Sequence, residues 1–272
     1  MHLKRWLTSI VAIPILAAFL YYAPSGLFTL FIGLIAVIAL WEYYRIVFKN
    51  LEAAAGIIIP LWGGGMGLLL LFAAYASAWH VLAELIIINT LGTALFSLSR
   101  FKIHTGVVDV VAKEIQGLVY IPLALATLIL LRMDQAGAAW IFFLLFVVFA
   151  GDVGAFYAGR FFGRHKLSPA ISPGKTIEGA VGGILANIGV GYGFMLLFLP
   201  HLPVAGCFFL FIAVGIAGQA GDLFESEFKR VQQIKDSGTI LPGHGGLLDR
   251  IDALLFAAPT AYLYKIYILP FF

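Results

Sequence analysis

Nine apolar runs, each close to the ~20 residues a helix needs to cross a bilayer, follow one another along almost the whole chain with short polar breaks between them. They cover Leu7 to Ala23, Gly26 to Ile46, Gly56 to Ala76, Val81 to Leu98, Ile115 to Leu131, Ala138 to Ala158, Ile177 to Leu199, Ala205 to Phe228 and Ala253 to Pro270. In lipid every backbone N–H and C=O must find its partner inside the protein, which leaves only helices and closed barrels. The runs are continuous rather than alternating with period two, which excludes the barrel. The expected fold is therefore an all-α polytopic integral membrane protein with about nine transmembrane helices. A hydrophobic content of 62% and a mean hydropathy of +1.00 place the chain outside the soluble domains.

An odd number of spans puts the termini on opposite faces, and the basic residues choose between the two orientations. With the N-terminus in the cytoplasm and the C-terminus on the opposite face, 15 of the 17 Lys and Arg residues fall in inner loops, and only Arg132 and Lys265 do not. Lys4 and Arg5 precede the first run as they would in a secretory signal, but no small-residue cleavage site ends it, so it reads as a retained helix. The single cysteine, Cys207, excludes an intrachain disulfide and a cysteine zinc site. A net charge of only +3 gives no sign of a nucleic-acid partner.

One membrane domain over 1–272 is expected, with helices 1–5 in about 1–132 and helices 6–9 in about 133–272. The latter carry cytoplasmic loops at 159–176 and 229–252. Glycines of the third and seventh runs (Gly63, Gly64, Gly65 and Gly67; Gly182, Gly183, Gly189, Gly191 and Gly193) read as helix-packing positions. The string SPGKT at 172–176 resembles the end of a Walker A loop, but Pro169 stands where that loop needs its first glycine. Ser172, Lys175 and Thr176 still precede a helix whose free N–H groups favour an anion. On the alternative reading, Ser172 and Pro173 only start that helix and Lys175 snorkels to the headgroups.

Ionisable residues near a bilayer are costly and are usually functional. Asp222, Glu225, Ser226 and Lys229 recur at helical spacing and share one face, and Asp249 and Asp252 lie one turn apart at the start of the ninth helix. Between them a turn with Gly243, His244, Gly245 and Gly246 lets backbone approach a ligand. Carboxylates at two helix ends with a basic, glycine-rich loop between them suit a magnesium ion bound together with a polyphosphate. Asp152, two turns from Arg160 in the sixth helix, is a further candidate.

Residues 226–252 resemble the signature of the phosphatidate cytidylyltransferase (CDP-diacylglycerol synthase) family. Ser226, Phe228, Lys229, Arg230, Lys235, Asp236, Gly238, Pro242, His244, Gly245, Gly246, Asp249, Arg250 and Asp252 are all in register. Residues 151–166 and 172–183 also resemble the family's upstream region. The resemblance implies the reaction CTP + phosphatidate → CDP-diacylglycerol + pyrophosphate, in phospholipid biosynthesis. It implies a metal centre on Asp222 and Asp249, with Asp252 beside them, holding magnesium and a monovalent ion such as K⁺. Lys229, Arg230, Lys235 and Arg250 would meet substrate and pyrophosphate oxygens. His244, Gly245 and Gly246 would shape the nucleotide pocket, together with Ser226 on the adjoining helix face. Ser172, Lys175 and Thr176 would form a second phosphate edge, Glu178 would orient Lys175 or a water, and Asp152 would touch cytidine or metal. A homodimer in a bacterial-type inner membrane, its active site facing the cytoplasm, is the implied assembly.

Two rivals make different demands. Another CTP-using membrane enzyme, such as a polyprenol kinase, would share parts of the nucleotide site but not the full register. A transporter could use Glu42, Glu84 and Asp152 as an ion path, but it predicts repeated halves and polar groups spread through the membrane.

Overall fold

A computed structural model of the protein describes residues 13–102, 105–238 and 245–272. Among these, eight helices are long and apolar enough to span a bilayer, and a shorter apolar helix, α1 (Ile13–Tyr22), precedes them. The expected first run therefore begins outside the described residues. Pro24 ends α1 and opens α2 (Ser25–Val47), where a missing N–H costs the helix nothing. A single turn, α3 (Glu52–Ala55), leads to α4 (Ile58–Tyr75) and α5 (Trp79–Arg100). The chain continues through α6 (Val107–Met133), α7 (Gly137–Phe162), a hairpin of β1 (Lys166–Ser168) and β2 (Ser172–Thr176), α8 (Ile177–Phe198), α9 (Val204–Val231) and α10 (Leu248–Tyr267).

Three differences from the sequence reading have local causes. Helix α6 begins at Val107, not Ile115, because Lys113 and Glu114 are satisfied inside the bundle while Asp109 is exposed. Asn89 Nδ2 and Thr93 Oγ1 donate to Glu114 at 2.8 and 3.1 Å, and Lys113 Nζ donates to the Val47 carbonyl at 2.9 Å. Pro122 then widens the helix into a π turn over Val119–Leu123 instead of ending it. Second, the expected 159–176 loop contains the β1–β2 hairpin, antiparallel with an irregular register between Lys166 and Ser168. Third, α9 runs on to Val231 and α10 starts at Leu248, so Lys229, Arg230, Asp249, Arg250 and Asp252 lie on helical turns.

Helices α7 and α8 are joined by a seam of small residues. A Cβ on Gly182 would strike that of Ala158, and one on Gly183 would sit 2.9 Å from the Gly151 carbonyl. Gly67 similarly makes room for Pro122, and Gly191 for Phe211, whereas Gly64, Gly65, Gly189 and Gly193 face open space. Only part of each glycine run therefore serves helix packing.

The bundle has two polar ends. At one, Lys49 Nζ donates to the Gln232 carbonyl (3.2 Å) and Arg230 Nε to the Ile171 carbonyl (2.9 Å). At the other, Arg132 donates to the Ala23 carbonyl (2.8 Å) and Lys265 pairs with Asp134 (2.5 Å). The two basic residues that fell outside the inner loops thus share the far end.

Candidate active site

The basic-rich end holds a cavity of about 530 Å³ walled by α7, the hairpin, α8 and α9. Asp152, Phe156 and Arg160 line it from α7, Ser172 and Lys175 from β2, and Gln219 and Asp222 from α9. The spacing of Gln219 and Asp222 along α9 places both side chains on the wall. Gln219 Nε2 donates to the Ala180 carbonyl at 2.9 Å, which fixes α9 against α8. Lys175 Nζ lies 2.6 Å from Asp222 Oδ2, with both side chains about a third exposed or less.

Thr176 ends the hairpin in extended backbone and caps α8, its Oγ1 accepting the Gly179 N–H at 3.1 Å. The helix dipole at this cap and the Lys175 ammonium make the rim of the cavity attractive to anions. Glu178 behaves differently from the sequence expectation. Its carboxylate accepts the N–H groups of Arg164 (3.0 Å) and His165 (3.2 Å), and His165 Nδ1 lies 2.6 Å from it. Glu178 therefore anchors the entry to the hairpin, while Lys175 takes its orientation from Asp222.

A second group lies where α9 meets α10. Glu225 is fully buried and paired with Lys229 one turn on. The Lys229 ammonium is in direct contact with the Glu225 carboxylate and supplies its counter-charge. Lys229 Nζ also meets Asp249 Oδ1 at 2.7 Å. Asp249 Oδ2 accepts the Ser237 N–H, the Ser237 hydroxyl and the Gly246 N–H, each at 2.9 Å. Gly245 has φ +83°, a left-handed conformation that glycine alone adopts without strain. Asp252 accepts the Ala253 N–H (2.8 Å) and lies within electrostatic reach of Asp222 and Asp152.

The remaining expected residues divide in the same way. Ser226 is buried on α9, Lys235 and Arg250 are exposed at this end, and Arg230 ties α9 to the hairpin. His244 lies outside the described residues, as do Pro242 and Gly243. Gln219, Ser237 and Glu42 join the site although the sequence reading gave them no part in it. Gln219 was one helical turn before Asp222 and could have been found by that periodicity.

Among the described residues, no three Asp, Glu, His or Cys side chains converge as a ready-made cation site. The expected group of Asp222, Asp249 and Asp252 is therefore not gathered into one cluster. The donor chemistry nevertheless fits magnesium, which takes one or two carboxylates and completes its shell with water and phosphate oxygens. Asp222 faces the cavity paired with Lys175, and Asp249 Oδ1 is paired with the Lys229 ammonium.

A model of the family described as "Cytidylyltransferase family" matches residues 3–268. A phosphatidate cytidylyltransferase of Bacillus subtilis (strain 168) is 35% identical over 268 residues, which cover 95% of this chain and 96% of the relative. One from Staphylococcus haemolyticus (strain JCSC1435) is 35% identical over 261 residues, covering 94% and 95%. One from Staphylococcus epidermidis (strain ATCC 12228 / FDA PCI 1200) reaches 46% identity over 123 residues, 45% of this chain and 47% of its own. With the residues of the motif gathered at one end of the bundle and the match running over nearly its full length, the chain belongs to the cytidylyltransferase family.

Proposed function

We propose that this protein transfers the cytidylyl group of CTP to phosphatidate, forming CDP-diacylglycerol and pyrophosphate at the basic end of the bundle. The observation that carries the reading is the cavity in which Lys175, Asp222 and Asp152 face one another beside the Lys229–Asp249 pair, in a chain that matches phosphatidate cytidylyltransferases over more than nine-tenths of its length. A phosphate oxygen of phosphatidate attacks the α-phosphorus of CTP, and the bond from that phosphorus to the bridging oxygen of the β-phosphate breaks. The nucleophile is already ionised, so no strong general base is needed, and catalysis rests on alignment and charge neutralisation.

Asp222 and Asp249 would hold a magnesium ion, with Asp252 beside them and a monovalent ion such as K⁺ as a further occupant. When bound, such an ion neutralises the phosphates and the leaving pyrophosphate. Lys175 and Lys229, which now neutralise the two carboxylates, then become available to phosphate oxygens. Arg230, Lys235 and Arg250 add positive charge at the rim, and Ser172 with the Thr176 cap supplies donors. Ser226, His244, Gly245 and Gly246 would bound the nucleotide, and Asp152 would face cytidine or the metal. The basic loops at this end support a site that faces the cytoplasm, in a membrane of the bacterial inner-membrane type. A homodimer rests on the family resemblance alone.

The test is a lipid-extract assay of the purified protein in detergent with labelled CTP, phosphatidate and magnesium, with and without EDTA. CDP-diacylglycerol with equimolar pyrophosphate, lost on chelation, is the expected result. Transfer of the terminal phosphate to a lipid alcohol would instead establish a lipid kinase.

A further inference from the structure

Glu42 sits on α2, far from the motif in sequence, and only 1% of it is exposed. Its carboxylate crosses to the other half of the chain, where Oε1 accepts the Leu247 N–H at 3.1 Å and Oε2 accepts the Leu248 N–H at 2.8 Å. These are donors at the first turn of α10, whose own cap residue, Leu247, has no side chain able to satisfy them. Glu42 thus caps a helix that begins 206 residues later. The Ser237 hydroxyl lies 3.3 Å from Glu42 Oε2 and 2.9 Å from Asp249 Oδ2, so one hydroxyl bridges the cap and the candidate metal ligand.

Two glycines of the motif owe their identity to this carboxylate. A Cβ on Gly238 would strike Glu42 Oε1, and one on Gly246 would come within 2.7 Å of Glu42 Oε2 and overlap the Ser237 hydroxyl. Backbone on both sides of residues 239–244 is therefore pressed against Glu42, and Asp249 is oriented by the same Ser237 and Gly246 N–H groups.

We infer that Glu42 is a positioning residue for the reaction, fixing the 235–238 and 245–249 backbone so that Asp249 and Lys229 are held in register with the cavity. The inference rests on the active-site reading above. It also explains why a carboxylate is kept in α2: a buried anion is costly unless several donors converge on it, and here two backbone N–H groups and a helix dipole do, with the Ser237 hydroxyl shared between it and Asp249.

The experiment measures kcat and KM of the full chain in detergent together with amide hydrogen exchange in the absence of substrates, for Glu42→Gln, Ser237→Ala and the pair combined. The amide of Gln keeps one accepting oxygen and turns an –NH2 toward the other backbone donor, so exchange at Leu247 or Leu248 should accelerate while α4 and α5 keep their protection. kcat should fall about 10–100-fold, as for other residues that orient ligating groups, with KM for CTP little changed. Ser237→Ala should show a smaller loss that does not add to that of Glu42→Gln. Glu114→Gln alters a buried carboxylate of α6 that is bonded to Asn89 and Thr93 instead, and should leave exchange at Leu247 and Leu248 and kcat unaltered. A folded Glu42→Gln protein with wild-type kcat and exchange overturns the inference; should that variant not fold, a silent Ser237→Ala does so. Faster exchange at Leu247 and Leu248 in a protein whose wild type makes no CDP-diacylglycerol would sink the assigned reaction and leave the positioning of this backbone standing.

Discussion

Asp222 and Lys229 fail in different ways when removed, and the difference separates chemistry from scaffold. Asp222 is partly exposed on the cavity wall, so its pairing with Lys175 adds little to stability. Asp222→Asn should leave the thermal midpoint nearly unchanged while turnover falls at least about 100-fold, the scale of losing one preorganised charge at a reacting phosphate. Lys229 stands between fully buried Glu225 and Asp249, whose side chain is 10% exposed. Lys229→Met leaves two buried carboxylates without their cation and should cost about 3–5 kcal/mol. Adding Glu225→Gln should recover part of that stability but no activity, which denaturation and turnover measured on the same preparation would check. At this scale the sequence was informative wherever spacing was local: Asp222, Glu225, Ser226 and Lys229 share a face because a helix has 3.6 residues per turn. Glu42 was legible only as an expensive charge, since nothing in a single sequence links it to Leu247 and Leu248.

Helices declared themselves through continuous apolar runs, and their ends did so less well. The first stretch of α6 was hidden because Asp109, Lys113 and Glu114 interrupt the hydropathy, and only the three-dimensional structure supplies Asn89 and Thr93 to Glu114 and the Val47 carbonyl to Lys113, with Asp109 exposed. The hairpin was hidden because its strands are three and five residues long and include Pro173, too short for any periodicity to show. Packing offers a sharp comparison along one helix, since Gly182 touches α7 and Gly189 faces open space. Gly182→Val should cost about 1–3 kcal/mol by overpacking and lower activity as well, because the α7–α8 seam sets Asp152 against Lys175. Gly189→Val should change neither, as thermal melts and assays in detergent would record.

For the molecule as a whole, the division of charge between the two ends of the bundle predicts its orientation. In a Cys207→Ala background, a cysteine at Lys235 should react with an impermeant thiol reagent only after the membrane is opened, and one at Gln135 in intact cells. The reverse pattern would overturn the assigned sidedness. The lysine pairs also tie the uptake of one ligand to that of the other. Lys175 is paired with Asp222 and Lys229 with Asp249 and Glu225, so a nucleotide arriving alone must draw a lysine from its acid, and a metal ion arriving alone must separate Lys175 from Asp222 with no phosphate to receive it. Each ligand removes the obstacle to the other. Affinity for CTP should therefore rise with magnesium and affinity for magnesium rise by the same factor with CTP, a reciprocity that thermodynamic linkage requires and that calorimetric titration in both orders would measure.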